Sequence, residues 1–402
     1  MAPPPDGDAP LLALVTTLPP QGPTGVQSHM GSVARAAADW GSPTVVVHPW
    51  DGSQTLRRLV TLGGRVVAPI SREWSLVWLR TGFRALLRRR ARRAVRTAQG
   101  RPAVLYAQEP LAAQAAIAVR RRTAGVRVVA VAHYNVSELA EHVENDGIAL
   151  RGPVQRSLER AEREMVAGAD LVVLPSGFSE RTIRDRTGPA FRAPSVVVAH
   201  AVEEPPRAAG AERGTRGDLI SIGTLEPRKN HAFLLDVLSR LHAAGHPVRL
   251  TLVGDGPERH RLQRAADGLG LTEAVTFAGR VVPAAPLIAG HRVYVHASRM
   301  ESFGLALVEA MACGRPVFAP AVGATAELLR DGREGRLWDL EDPDGAAGAL
   351  VELFADATLE RRLGAGARQR YLSCYAPEVV TPRLRSALLG PLATAVAATG
   401  GH

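Results

Sequence analysis

Two glutamates, Glu301 and Glu309, bracket a glycine at the start of an apolar helical pattern. Residues 296–316 read HASRMESFGLALVEAMACGRP. Val293, Tyr294 and Val295 end a strand, and the chain then turns through Ser298, Arg299 and Met300. A helix opens at about Gly304, with Leu305, Leu307, Val308, Ala310 and Met311 on its apolar face. A glycine at that point leaves the first backbone N–H groups uncovered, and such a helix start attracts an anion, typically a phosphate. One carboxylate before the helix and one inside it can each hold hydroxyls. The combination suits a sugar joined to a nucleotide through a diphosphate. On their own, two glutamates at this spacing are also compatible with a solvated pair on a common strand–loop–helix.

A second stretch carries the opposite charge. Gly223-Thr-Leu-Glu-Pro-Arg228-Lys229-Asn230 follows an apolar strand at 219–222 and precedes a helix from about His231. Arg228 can clamp a phosphate in a fork, and Lys229 supplies a point charge for the same group. Lys229 is the sole lysine of the chain, against a background in which nearly all basic charge is arginine. A third candidate is His133, at the end of the strand 126–132. Ligands of open α/β sheets bind beyond the carboxyl ends of strands, although a lone histidine there can equally close a hydrogen-bond network.

The elements that must position these groups alternate strand, loop and helix. Strands are expected at 11–16, 44–47, 65–67, 103–107, 126–132, 170–174 and 196–199, then at 219–222, 250–253, 275–277, 293–295 and 316–320. This pattern predicts an α/β chain with two doubly wound domains, as 402 residues also suggest. The run 203–218, rich in Glu, Pro, Ala, Arg and Gly, reads as the linker. The boundaries expected are 1–202, with a C-terminal crossover helix at about 375–402 added to it, and 203–374.

The string Ser298-x-x-Glu301-Ser-Phe303-Gly304-Leu305, followed by Glu309-Ala-Met-Ala-x-Gly314-x-Pro316-Val317, resembles the donor-site signature of retaining GT-B glycosyltransferases of family 4, the glycosyl transferases group 1 type. Further elements agree. Gly223 to Lys229 is similar to that family's diphosphate loop, and Gly254-Asp255-Gly256-Pro257 to its next glycine turn. Residues 170–176 resemble a further element, whereas His200-Ala201 stands where relatives usually carry Asn-Gly. The resemblance implies two Rossmann-like domains facing across a cleft, the first binding acceptor and the second the nucleotide sugar. It implies catalytic roles for His133, Arg228, Lys229 and Glu301. It implies donor contacts from Gly25, Gly223, Arg228, Lys229, Gly254, Arg280, Val281, Glu301, Phe303, Gly304, Leu305 and Glu309. Within that set Glu301 would hold sugar hydroxyls, Glu309 the ribose, and the backbone at Arg280 and Val281 the base edge. Fixed cations would replace a divalent metal, so no cofactor is expected, and a UDP sugar is the default donor ahead of GDP-mannose with a membrane-lipid acceptor. The rivals are a sugar-nucleotide 2-epimerase, a pyridoxal-phosphate phosphorylase whose Schiff-base lysine would have to be Lys229, and a non-catalytic nucleotide-sugar-binding subunit.

Composition bounds the partners. The net charge of +10 points to anions such as nucleotides, phosphates or a lipid surface. No recognised nucleic-acid-binding module accompanies the charge, so nucleic acid is not expected. Cys313 and Cys374 form no metal or redox spacing, which fits a reducing cytoplasm. Residues 74–96 combine Trp74 and Trp78 with seven arginines from Arg84 to Arg96. This stretch would let the protein sit peripherally on the inner membrane face. The favoured expectation is a surface helix whose tryptophans pack in the core. Glu138, Glu141 and His142 are a candidate acceptor loop. The acceptor itself, a small molecule or a lipid, is not named by these residues.

Overall fold

The computed structural model describes residues 9–20, 22, 24–50, 54–69, 71–141, 151–205 and 217–391. His142, part of the acceptor loop expected above, lies outside them, as does most of the linker. The chain forms two compact units. One runs to Ala199 and takes up the chain again from Val380; the other spans His200–Val379.

Each unit is built on a six-stranded parallel sheet. In the first, β1 (Leu11–Val15), β2 (Thr44–Val47), β3 (Ala103–Ala107), β4 (Val126–Val131), β5 (Leu171–Leu174) and β6 (Ser195–Val197) lie in the order β2-β1-β3-β4-β5-β6. In the second, β7 (Gly217–Ile222), β8 (Leu250–Val253), β9 (Val275–Gly279), β10 (His291–Val295), β11 (Val317–Pro320) and β12 (Gly335–Trp338) lie in the order β12-β11-β10-β7-β8-β9. The central strands are unbroken apolar runs because helices cover both sheet faces. LLALV of β1 is buried at every position, as is AVLYA of β3. The strand order reverses between β1 and β3 in the first unit and between β7 and β10 in the second. A crevice opens beyond the carboxyl ends at such a reversal. Both candidate loops of the second unit therefore leave the sheet at one place.

Two expectations need correction. Residues 65–67 are not a strand; they close helix α2, which follows α1 (Gly25–Asp39) and spans Gln54–Val67. Val66 and Val67 favour a strand locally, but Leu59, Leu62 and Val66 recur at helical spacing and line one face of the helix. Trp74 and Trp78 are not core residues. They lie on α3 (Arg72–Thr97) and are 56% and 51% exposed. The same helix turns Leu76 and Val77 toward buried Val154 and Leu158 and buries Leu87 and Ala91, so its core-facing side leaves the tryptophans outside. Among the described residues no helix is long and apolar enough to cross a membrane.

Candidate functional site

The switch point of the second unit gathers charge around one buried carboxylate. After β7 the chain makes a single 3-10 turn, Pro227–Lys229, and Asn230 then takes a left-handed conformation at φ +50° that redirects it into α7 (His231–Ala243). Asparagine tolerates that conformation better than most residues. The turn presents Arg228 and Lys229 to the loop after β10. Lys229 Nζ lies 2.5 Å from Glu301 Oε1, and Arg228 Nη1 lies 3.9 Å from the same atom. Arg228 is itself fixed: it donates to Met300 O at 3.0 Å and to Glu226 Oε1 at 2.6 Å, and its carbonyl accepts from Arg299 N at 2.9 Å.

His296 completes the cluster. Its Nε2 lies 3.0 Å from Glu301 Oε1, and its carbonyl accepts from the Trp338 indole at 3.0 Å. Burial alone would raise the Glu301 carboxyl, but Lys229, His296 and Arg228 outweigh it and hold the group well below the usual carboxylate range. Burial lowers the His296 imidazole, with Glu301 pulling the other way, so its ring is neutral at pH 7 and donates to the carboxylate as a dipole. Behind Glu301, Ala324 N donates to its carbonyl at 2.8 Å, and Gly323, at φ +55°, comes so close that a Cβ would stand 2.2 Å from that oxygen. The Glu301 backbone is therefore held by a residue that has to be glycine.

Three residues on, Gly304 caps helix α10 in a left-handed conformation at φ +89° with no side-chain cap (α8 is Arg259–Gly268, α9 Ala285–Ala289 and α10 Leu305–Ala312). Leu307 N and Val308 N already bond to Gly304 O, while the N–H groups of Leu305 and Ala306 have no intrahelical partner. Glu309 lies one turn in, half-buried, and among the described residues its carboxylate has no hydrogen-bond partner. Burial pushes it up to about 7. Phe303 is buried instead, its ring 5.0 Å from that of His200 and 6.0 Å from that of Tyr375. Gly223 and Gly254 clear the space under the diphosphate-type loop: a Cβ on Gly254 would be 1.9 Å from Gly223 O. Arg280 and Val281 follow β9, and among the described residues no hydrogen bond or ion pair joins them to the Lys229–Glu301 cluster.

Gly25 and His133 belong to the other unit. Gly25 opens α1, whose Thr24 and Gln27 form a reciprocal capping box. His133 Nε2 lies 3.1 Å from Gln108 Oε1, and its ring stands edge-on to His29, which reaches the Tyr106 hydroxyl at 2.9 Å. At this switch point Glu109 bonds to Thr16 Oγ1 at 3.1 Å and to Thr17 N. Burial pushes its carboxyl up to about 7, the Thr17 and Thr16 hydrogen bonds oppose that, and the charge of Glu138 adds to it. Glu138 pairs with Arg80 at 2.5 Å, and Glu141 Oε1 accepts from Asn135 N at 3.0 Å. Sequence reasoning gives His296 and Glu109 no role, because each reads only as the end of a strand. A polar residue directly after an apolar strand at the reversal is the signal available.

Two parallel doubly wound units, with cations and free helical N–H groups converging at a strand reversal, define the GT-B class of sugar-transferring folds. Solved structures agree on the fold: sucrose-phosphate synthase from Thermosynechococcus elongatus matches with a TM-score of 0.72 at 19% identity, covering 93% of this chain and 97% of that one. Anabaena HepE in complex with UDP-glucose matches at 0.68 and 18% identity, covering 96% and 99%. Residues 24–201 match the glycosyl transferase 4-like domain and residues 216–356 match the glycosyl transferases group 1. The phosphatidyl-myo-inositol mannosyltransferase of Mycolicibacterium smegmatis is 30% identical over 352 residues, 87% of this chain and 86% of that protein. A second protein of that organism, the GDP-mannose-dependent alpha-(1-6)-phosphatidylinositol monomannoside mannosyltransferase, is 31% identical over 261 residues, 59% of this chain and 66% of that one. The chain belongs to the group 1, family 4 glycosyltransferases.

Proposed function

We propose that the chain moves a hexose from a nucleotide diphosphate to an acceptor hydroxyl, with retention at the anomeric carbon and without a divalent metal. The observation that carries this reading is the ionised, buried Glu301 clamped by Lys229 beside Arg228. Arg228, Lys229 and the free N–H groups at Leu305 and Ala306 receive the diphosphate and stabilise the negative charge that grows on it as the sugar leaves. Preorganised groups of this kind usually supply the greatest share of an enzyme's rate enhancement. Glu301 accepts from sugar hydroxyls, and Glu309, without a hydrogen-bond partner among the described residues, accepts from the ribose. The backbone at Gly25 faces the phosphates, that at Arg280 and Val281 the base, and His133 the transferred sugar. Attack on the face the leaving group vacates forms the acceptor O–C1 bond and breaks C1–O to phosphate. The acceptor proton passes to the departing phosphate oxygen.

The donor order shifts with the relatives. A UDP sugar is the default by frequency, but the two relatives named above at 30% identity or more are a phosphatidyl-myo-inositol mannosyltransferase and a GDP-mannose-dependent one. GDP-mannose with a membrane-lipid acceptor therefore comes first here, and a UDP sugar second.

The test is a thermal-shift and turnover screen of GDP-mannose and UDP sugars in EDTA, followed by the anomeric configuration of the product. Stabilisation by one nucleotide sugar, slow hydrolysis in chelator and a retained configuration are expected. An inverted product, or turnover abolished by EDTA, would sink the mechanism. Stabilisation without any turnover, acceptors included, would favour a binding subunit.

A further inference from the structure

Between β2 and β3 the first unit carries a hairpin of two helices, α2 and α3. The two are locked together through small residues. A Cβ on Gly63 would fall 2.5 Å from Trp78 Nε1, one on Gly64 2.9 Å from Leu79, and one on Gly82 2.5 Å from Val60. Trp78 Nε1 donates to Val60 O at 3.1 Å and Ser75 Oγ to Gly64 O at 2.7 Å. The two helices therefore pack closely along this seam.

Its outer face is apolar. Leu59, Leu62 and Val66, three and four residues apart on α2, are 60%, 58% and 65% exposed. Trp74 and Trp78, one turn apart on α3, are more than half exposed as well. Of the other large exposed apolar residues, Trp50 belongs to the same unit at 36%, whereas Leu269, Val282 and Leu372 are scattered along the other unit. Clustered exposure of this kind marks an interaction surface.

The same face is cationic at its edges. Residues 54–97 hold twelve arginines and one glutamate. Arg58 and Arg65 flank the apolar strip of α2 on the side away from α3. Continuing along the tryptophan side of α3 by helical steps leads through Thr81 and Ala85 to Arg88, Arg89, Arg92 and Arg96. Arg80 is used internally against Glu138, and Arg90 against His48 O. Among the described residues Arg88, Arg89 and Arg96 have no partner and are exposed.

We propose that this hairpin face is a docking surface for a bilayer carrying anionic lipid. The aromatic and aliphatic side chains enter the headgroup layer and the arginines pair with its phosphates. Charge selects this occupant: a second copy would bring arginine against arginine, whereas an anionic bilayer supplies both an apolar layer and the missing charge. The surface is independent of which sugar the other unit carries.

The experiment is flotation of the full chain with vesicles of phosphatidylcholine alone or mixed with phosphatidylglycerol, at low and high salt. Binding is expected to the anionic vesicles alone and to weaken with salt. Leu59→Gln with Leu62→Gln and Val66→Gln, and separately Arg88→Glu with Arg89→Glu and Arg96→Glu, should each lower binding at least about tenfold while donor hydrolysis and Tm stay as in the wild type. Lipids brominated near the headgroup should quench the wild-type tryptophan fluorescence, a readout that does not depend on any variant folding. No binding to anionic vesicles, equal binding to neutral ones, or unchanged binding by both variants would overturn the proposal. A concentration-dependent dimer abolished by the α2 substitutions would assign the face to a second copy instead.

Discussion

The two units hold a carboxylate at corresponding places, and they treat it in opposite ways. At each sheet reversal a glutamate after one strand reaches the loop after its neighbour: Glu109 after β3 reaches Thr16 and Thr17 after β1, and Glu301 after β10 reaches Lys229 after β7. Both are withdrawn from water. Glu301 meets two cations and a histidine and stays ionised far into acid; Glu109 meets a hydroxyl and an amide and titrates at about 7. Neutral donors offset only part of a desolvation penalty that a salt bridge overcomes. The same fold position thus becomes a fixed charge in one unit and a titrating group in the other.

The strongest break of this comparison is Lys229→Ala. It removes the nearest cation from a buried carboxylate and from the expected diphosphate. Turnover should fall about 10²–10³-fold, and stability by about 3 kcal/mol, read from kcat and from urea unfolding. Near-normal turnover would remove Lys229 from the mechanism.

Glu309→Gln comes next. A carboxylate near pH 7 must lose its proton before it can accept two hydroxyls. Affinity for a nucleotide sugar should therefore rise between pH 6 and pH 8 in the wild type, and the variant should bind about tenfold more weakly at pH 8 with that slope abolished. Calorimetry in two buffers would detect the released proton. Identical heats in both buffers would mean that Glu309 does not titrate on binding.

Glu109→Gln should give the smaller change, in the shape of stability against pH. The folded-state value is raised from 4.5 to about 7. The stabilisation it confers is complete below pH 4.5 and lost as pH rises through 7, because the folded state keeps a proton the unfolded chain has released. The variant should flatten that decline in Tm against pH. Glu309 titrates in the same window, so the double variant should flatten it further. A wild-type Tm that is level between pH 5 and 8 contradicts both assignments.

His133→Ala should leave donor binding intact and lower turnover by about tenfold. The single substitution His29→Phe, which removes the neighbouring ring nitrogens and keeps the edge contact, distinguishes a role in holding His133 from one in holding Tyr106. An effect on turnover equal to that of His133→Ala supports the former; a loss of Tm alone supports the latter.

Much of this was legible in the sequence because the signals are local. Apolar runs of four to six residues marked most strands, and the glycine before Leu305 marked a helix start with open N–H groups. A single lysine in an arginine-rich chain marked Lys229. The misreadings were local too. Val66-Val67 has strand propensity, but the helical period of Leu59, Leu62 and Val66 runs through it, and Trp74 and Trp78 lie on the side of α3 away from its packed neighbours.

Sequence by itself determined the α/β alternation, the loop chemistry and the pair Glu301–Glu309, all of which depend on residues within a turn or two of one another. Only the tertiary structure decided which charges meet. Lys229 and Glu301 are 72 residues apart, and Thr16 and Glu109 are 93. Their protonation follows from burial and from partners delivered by sheet order, neither of which leaves a periodic trace along the chain.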